Sequence, residues 1–124
     1  MFEDADFISL YTRKQAIEDG VLVDVTEKAK QAGFKCPVAI TDTVWADIEN
    51  GPSKNKTDIN GRLYDVLMML MLKIKLTGGD DSILFYDLIM PVEGQKDRLY
   101  RLKSMAGPGD EGELVITIML PHED

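Results

Sequence analysis

The stretch DINGRLYDVLMMLMLKIKLTGGDDSILFYDLIM, Asp58–Met90, holds the transition on which the fold turns. Leu63, Val66, Leu67, Leu70 and Ile74 recur three, four, seven and eleven positions apart, the stripe of an α-helix. That spacing predicts a long helix from Asp58 to about Leu76, starting near Thr57 or Asp58. Met68, Met69, Met71 and Leu72 widen the stripe almost all round, so a central helix buried on most sides is expected. TGGDD, Thr77–Asp81, ends it, and SILFYDLIMPV then reads as a β-rich run.

Two more β-rich runs follow, DRLYRLKSMA and ELVITIML, separated by the breaks EGQK and GPGDEG. Short glycine-containing breaks between strands predict an antiparallel three-stranded meander. In the last run Leu114, Ile116, Ile118 and Leu120 alternate against Val115, Thr117 and Met119. Both faces are fairly apolar, which predicts a central strand. Arg101 and Lys103 share a face with Leu99.

The first half reads as mostly helical. Thr12 followed by Gln15 is a capping-box pattern for a helix over Arg13–Asp19, and Gly20 stops it. Val21–Val25 reads as a short strand. Thr26 is expected to cap a second helix, Glu27–Ala32, ended by Gly33. FKCPVAI is extended, because the residue before Pro37 avoids helical geometry. Thr41 or Thr43 caps a third helix containing Val44, Trp45 and Ile48. NGPSKNKTDING, Asn50–Gly61, reads as a loop. The expected class is α+β, one domain over residues 1–124: a helical N-terminal half with one or two short strands, and the long helix packed on the C-terminal meander.

Bulk properties narrow the function. With 22 acidic against 14 basic residues, the net charge of −8 argues against direct nucleic-acid binding, which requires cations to neutralise phosphates, and permits a basic partner surface. One cysteine, Cys36, precludes an internal disulfide. The longest apolar run, VLMMLML, is far short of the roughly 20 residues that span a bilayer, so no membrane association is expected. The acidic N-terminus MFEDADFISL lacks the basic flank of a secretion signal.

Catalytic chemistry has little to build on. The one histidine, His122, is the third residue from the end of the sequence, where a base is expected to be poorly held. Cys36 reads as a small apolar residue before Pro37 rather than a nucleophile. A closed metal site needs four ligands; His122, Glu123, Asp124 and Cys36 form no such motif, and neither a metal nor a cofactor is expected. GPGDEG precedes a strand and lacks the Lys and Ser or Thr of a phosphate loop. Trp45 reads as a core anchor.

Acidic clusters stand out at Glu3–Asp6, Glu18–Asp19, Asp80–Asp81, Asp110–Glu113 and Glu123–Asp124, all at termini, turns or helix ends. Among them Asp80, Asp81, Asp110, Glu111 and Glu113 are the expected partner-binding residues. Two alternatives stand beside this: a small enzyme or ligand-binding module with a pocket near Tyr11, Arg13 and Trp45, and a structural homodimer formed through strand edges or the Met-rich helix.

The segment YTRKQAIEDGVLVDVTEKAKQAGFKCPVAITDTVW, Tyr11–Trp45, resembles the N-terminal signature of a family of small proteins of unknown function carried by phages, plasmids and other mobile elements. The likeness extends more loosely through GRLYDVLMMLMLKI. It implies an accessory protein of a bacterial cytoplasm, in which small acidic proteins include anti-CRISPR inhibitors. The expectation is therefore a non-enzymatic protein, monomer or homodimer, that occupies a basic surface of a CRISPR effector nuclease and blocks nucleic-acid loading.

Overall fold

The computed structural model describes residues 11–51, 55–90 and 98–124. Its chain order is α1 (Arg13–Glu18), β1 (Leu22–Asp24), α2 (Thr26–Gln31), β2 (Val38–Thr41), α3 (Asp42–Glu49), α4 (Lys56–Thr77), β3 (Ile83–Met90), β4 (Arg98–Pro108) and β5 (Leu114–Met119). The α+β class expected from the sequence is present. The expected meander is present as β3–β4–β5, antiparallel throughout. It is only part of the sheet, whose order is β1-β2-β5-β4-β3. The two short N-terminal strands complete it: β2 runs parallel to β5 and β1 antiparallel to β2.

Alternation sets the faces. Leu84, Tyr86, Leu88 and Met90 of β3, Tyr100 and Leu102 of β4, Ile116 and Ile118 of β5, and Val38 and Ile40 of β2 enter one core. Across from them lie Ala29 of α2, Val44 and Ile48 of α3, and Leu63, Val66, Leu67 and Leu70 of α4. β5 is central, as its two apolar faces predicted: Val115 and Met119 on the far face are buried too.

Helix ends follow local chemistry, with two revisions. The Thr12–Gln15 capping box forms as expected. α4 starts at Lys56, just ahead of the expected start near Thr57 or Asp58, and Asn55 caps it, its Oδ1 accepting the Asp58 N–H at 2.9 Å. Thr26 does not cap α2. That position falls to Val25 with no side-chain bond, because the Thr26 hydroxyl is engaged by Asp24 Oδ1 at 2.5 Å and by the Val38 N–H at 3.1 Å. Thr26 thus ties the end of β1 to the start of β2. Asn50–Gly61 is less of a loop than its composition suggested: from Lys56 on it is helix. Glu3–Asp6 and the EGQK break lie outside the described residues.

The long helix is less enclosed than expected. Tyr64, Met69, Leu72 and Leu76 are exposed, because the core lies along one flank of the helix and no element among the described residues forms a second layer over the other. Its position is fixed by two buried polar contacts. Tyr86 donates to the Val66 carbonyl at 3.1 Å. Arg62 Nε donates to the Ile48 carbonyl at 2.7 Å, a cation at the negative end of α3. A Cβ on Gly51 would lie 2.5 Å from Arg62 Cζ, so a side chain there would displace the guanidinium from its place at the Ile48 carbonyl.

Ile40→Ala removes a side chain with no solvent exposure at the β2–β5 junction. The expected loss is about 2–5 kcal/mol in urea denaturation, against about 0.5–1.5 kcal/mol for Ile40→Val.

Candidate functional site

The β3–β4 register brings two acidic turns to one end of the sheet. Ile83 pairs with Met105, Ser82 accepts the Ala106 N–H at 2.7 Å, and Pro108 pairs with Leu114. The α4–β3 turn carrying Asp80 and Asp81 and the β4–β5 turn carrying Asp110, Glu111 and Glu113 therefore share that end. All five residues are exposed, as expected from their positions.

They are not equivalent. The Asp110 carboxylate accepts the backbone N–H groups of Arg13 at 2.8 Å and Lys14 at 3.0 Å, joining the β4–β5 turn to the start of α1. Those N–H groups, Lys14's first, hold the Asp110 carboxyl below its ordinary pKa. Glu113 Oε1 accepts the Glu111 N–H at 3.1 Å, and the Gly109 N–H closes on the Glu113 carbonyl at 2.6 Å. Gly112 makes the tight turn at φ 83°. Asp110 and Glu113 therefore build the turn, while Asp80, Asp81 and Glu111 remain as outward charges.

Arg13 links this end to the sheet. Its Nη1 donates to Thr117 Oγ1 at 2.6 Å and its Nη2 to the Ile116 carbonyl at 2.8 Å. Half-burial lowers its pKa, opposed by the carboxylates of Asp24, Asp110 and Glu113. A small hollow of about 260 Å³ lies here, lined by Arg13, Lys14, Asp24, Asp110 and Glu113 among others.

On the far face of the sheet a wider open groove of about 970 Å³ runs between α1 and the C-terminal turn. It is lined by Tyr11, Arg13, Met105, Thr117, Met119 and His122 among others. It brings together two residues of the expected pocket, Tyr11 and Arg13. Trp45 is not among the lining; it packs against the core from α3.

The C-terminal turn is held in place rather than loose. Glu123 Oε1 accepts Thr41 Oγ1 at 2.9 Å and the Leu120 N–H at 2.8 Å, and Oε2 accepts Thr43 Oγ1 at 2.7 Å. The buried Lys103 ammonium donates to the Glu123 carbonyl. Burial pushes the Glu123 carboxyl up, but the Leu120 N–H and the hydroxyls of Thr43 and Thr41 outweigh it, and the net shift is down. Glu123 is therefore half-buried and engaged, unlike the solvated acid expected at a terminus, while His122 and Asp124 are exposed. Nothing local in the sequence announces this clamp, since Thr41 and Glu123 stand 82 residues apart.

Cys36 is half-buried against the core, and desolvation raises its thiol pKa, opposite to the shift that activates a nucleophile. Among the described residues no group of three or more His, Cys, Asp or Glu side chains converges as metal ligands would. Nor is any helix among them long and apolar enough to cross a membrane.

Fold and site together define a small α+β protein with an acidic sheet end and an open groove. The chain belongs to a family described as a family of unknown function (DUF6573), whose model matches residues 1–124. No curated protein and no solved structure matches it.

Two outcomes follow from the clamps. Because the folded pKa of Asp110 is depressed, its contribution is complete above the ordinary value of 3.8 and disappears as pH falls through the lower folded value. Asp110→Asn should lower Tm at neutral pH and narrow its gap to the parent as the buffer is taken below pH 3.8, as read by circular dichroism melts. Glu123→Ala should cost about 1–3 kcal/mol in urea denaturation, by leaving the Thr41, Thr43 and Leu120 donors without their acceptor.

Proposed function

We propose that this chain is a non-enzymatic interaction protein that presents the acidic end of its sheet to a basic protein surface. The carrying observation is that two turns distant in sequence place Asp80, Asp81 and Glu111 at one end, outward and unspent. Beside them, Asp110 and Glu113 hold the β4–β5 turn in shape. Preorganised charge of one sign raises the encounter rate with an oppositely charged surface and needs little ordering on contact. The net charge of −8 supports the same reading.

The resemblance of Tyr11–Trp45 to mobile-element proteins gives the basic surface a candidate class, a nucleic-acid-binding effector of the bacterial host. In the anti-CRISPR form of the proposal, the acidic end occupies the cationic channel of a CRISPR effector nuclease and excludes its nucleic acid.

The groove beside Tyr11 and Arg13 favours a second reading, a ligand-binding module. A small-molecule thermal-shift screen separates the two: a ligand that raises Tm and is lost with Arg13→Ala supports the second.

The first reading is tested with the triple variant Asp80→Lys, Asp81→Lys, Glu111→Lys, which leaves Asp110 and Glu113 in place. Binding and guide-loading assays against a panel of purified effector nucleases at low salt should show at least a tenfold loss of affinity, with an unchanged circular dichroism spectrum. Equal affinity of parent and variant, or no binding by the parent to any basic effector, rejects the proposal.

A further inference from the structure

Strand β3 is the outer strand of the sheet, eight residues long, with no neighbour beyond it among the described residues. The opposite edge, β1, has only three residues. Proteins usually protect a long edge with lysine, proline or a bulge. β3 has none of these, and three of its four far-face side chains are large and apolar: Ile83 is 48% exposed, Phe85 46% and Ile89 59%. Leu99, paired with Ile89 on β4, is 64% exposed and continues the patch.

The backbone register says what this edge can accept. The Ser82 carbonyl accepts the Ala106 N–H from the residue directly opposite, so the even-numbered residues of β3 turn their N–H and C=O groups toward β4. Ile83, Phe85, Asp87 and Ile89 consequently turn theirs outward. We infer that β3 is a self-pairing edge, and that a second copy of this chain adds to it antiparallel about a two-fold axis at Tyr86.

Only that register engages all four outward residues of both strands. It sets Ile83 opposite Ile89 of the second copy, and Phe85 opposite its Asp87. Registers shifted by two residues in either direction leave outward groups unpaired, and one of them places Asp87 against its own copy. In the Tyr86 register Asp87 keeps its two bonds from Arg101, at 2.8 and 3.1 Å.

Charge permits the approach in spite of the net −8. Asp65 and Asp87 border this edge, the first from α4, and Lys73 and Arg101 lie near enough to Asp87 to lower its pKa. The edge is locally balanced, while the unspent acids sit in the turns at the end of the sheet. A hollow of about 390 Å³ between α4 and β3, lined by Asp65, Met68, Met69 and Leu88 among others, gives the second copy's helix an apolar surface to approach. Pairing yields a continuous ten-stranded sheet with the two α4 helices side by side, a closed isologous interface.

Size-exclusion chromatography with light scattering should give twice the chain mass of 13.9 kDa at micromolar concentration. Phe85→Lys and Ile89→Lys, both on the solvent face, should each weaken the dimer by about 30-fold or more, with unchanged circular dichroism. Leu114→Lys, an exposed apolar position away from this edge, should remain dimeric. For register, the double variant Ile83→Cys, Ile89→Cys should form an intermolecular disulfide under mild oxidant, and Ile83→Cys alone should not. A monomeric parent, a dimer indifferent to both lysine variants, or a dimer that crosslinks through Ile83→Cys alone overturns the inference. Because the lysine variants leave Asp80, Asp81 and Glu111 intact, loss of the dimer and loss of effector binding are separately readable.

Discussion

The pairing of β2 with β5 is the constraint on which the rest of the structure depends. Val38 and Ile40 lie beside Ile116 and Ile118 in a parallel ladder, and all four are buried in the same core. Four other elements, α3, α4, β3 and β4, lie between these two strands in the chain. The ladder therefore closes a long loop, and the entropy of that closure must be offset by what the junction buries. β2 has four residues, every one of them buried, so each must contribute. Without it the C-terminal hairpins would keep their own hydrogen bonds but lose the strand that shields one side of β5.

Two polar clamps sit at the two ends of this junction and make it more than an apolar seam. At one end Asp110 takes the first N–H groups of α1, while Arg13 reaches back to Thr117 and the Ile116 carbonyl. At the other, Glu123 takes the Thr41 and Thr43 hydroxyls at the start of α3. Each clamp joins a segment from the first fifty residues to one from the last fifteen. The Asp110 clamp also satisfies backbone donors at the start of α1 that would otherwise need water or another side chain. The Asp110 and Glu123 carboxylates keep their charge but are fixed by these donors, whereas Asp80, Asp81 and Glu111 stand exposed in their turns.

Local signals in the sequence translated well, and long-range ones did not. The Thr12–Gln15 box, the Thr41 cap, the helical spacing through Leu63–Ile74 and the three β-rich runs each depend on neighbours within a few residues, and each appears close to its expected place. The meander was legible because the breaks between its β-rich runs are short in the sequence. What was hidden had partners far away. FKCPVAI carries an extended signature but no mark saying that it pairs parallel with a strand some 80 residues later. Thr26 has the composition of a cap, yet its hydroxyl found better partners in Asp24 and Val38. The apolar width of α4 overstated its burial, because composition cannot tell a residue facing a second layer from one left at an open flank. Of the candidate site, position was legible and role was not: turns expose their acids whatever those acids do, and only the structure separates Asp110, which holds α1, from Glu111, whose side chain holds no other described residue.

The same distinction bears on the exposed apolar residues. Met69, Leu72 and Leu76 on α4 and Ile83, Phe85 and Ile89 on β3 are not scattered single positions of the kind every surface carries. They belong to the helix and the strand that the meander leaves at its open edge. The fold could have shielded that edge by keeping β3 as short as β1 or by placing a charge at every outward position of β3. It does neither, and the one charge there, Asp87, is neutralised in place by Arg101. Among the described residues no strand pairs with the outward backbone donors and acceptors of β3. The β2–β5 junction turns the N-terminal half toward the other side of the sheet, with α2 and α3 set near β2. What closes one side of β5 is thus also what keeps the short N-terminal strands away from β3, and the outermost place of β3 among the described strands is a consequence of the core's own topology.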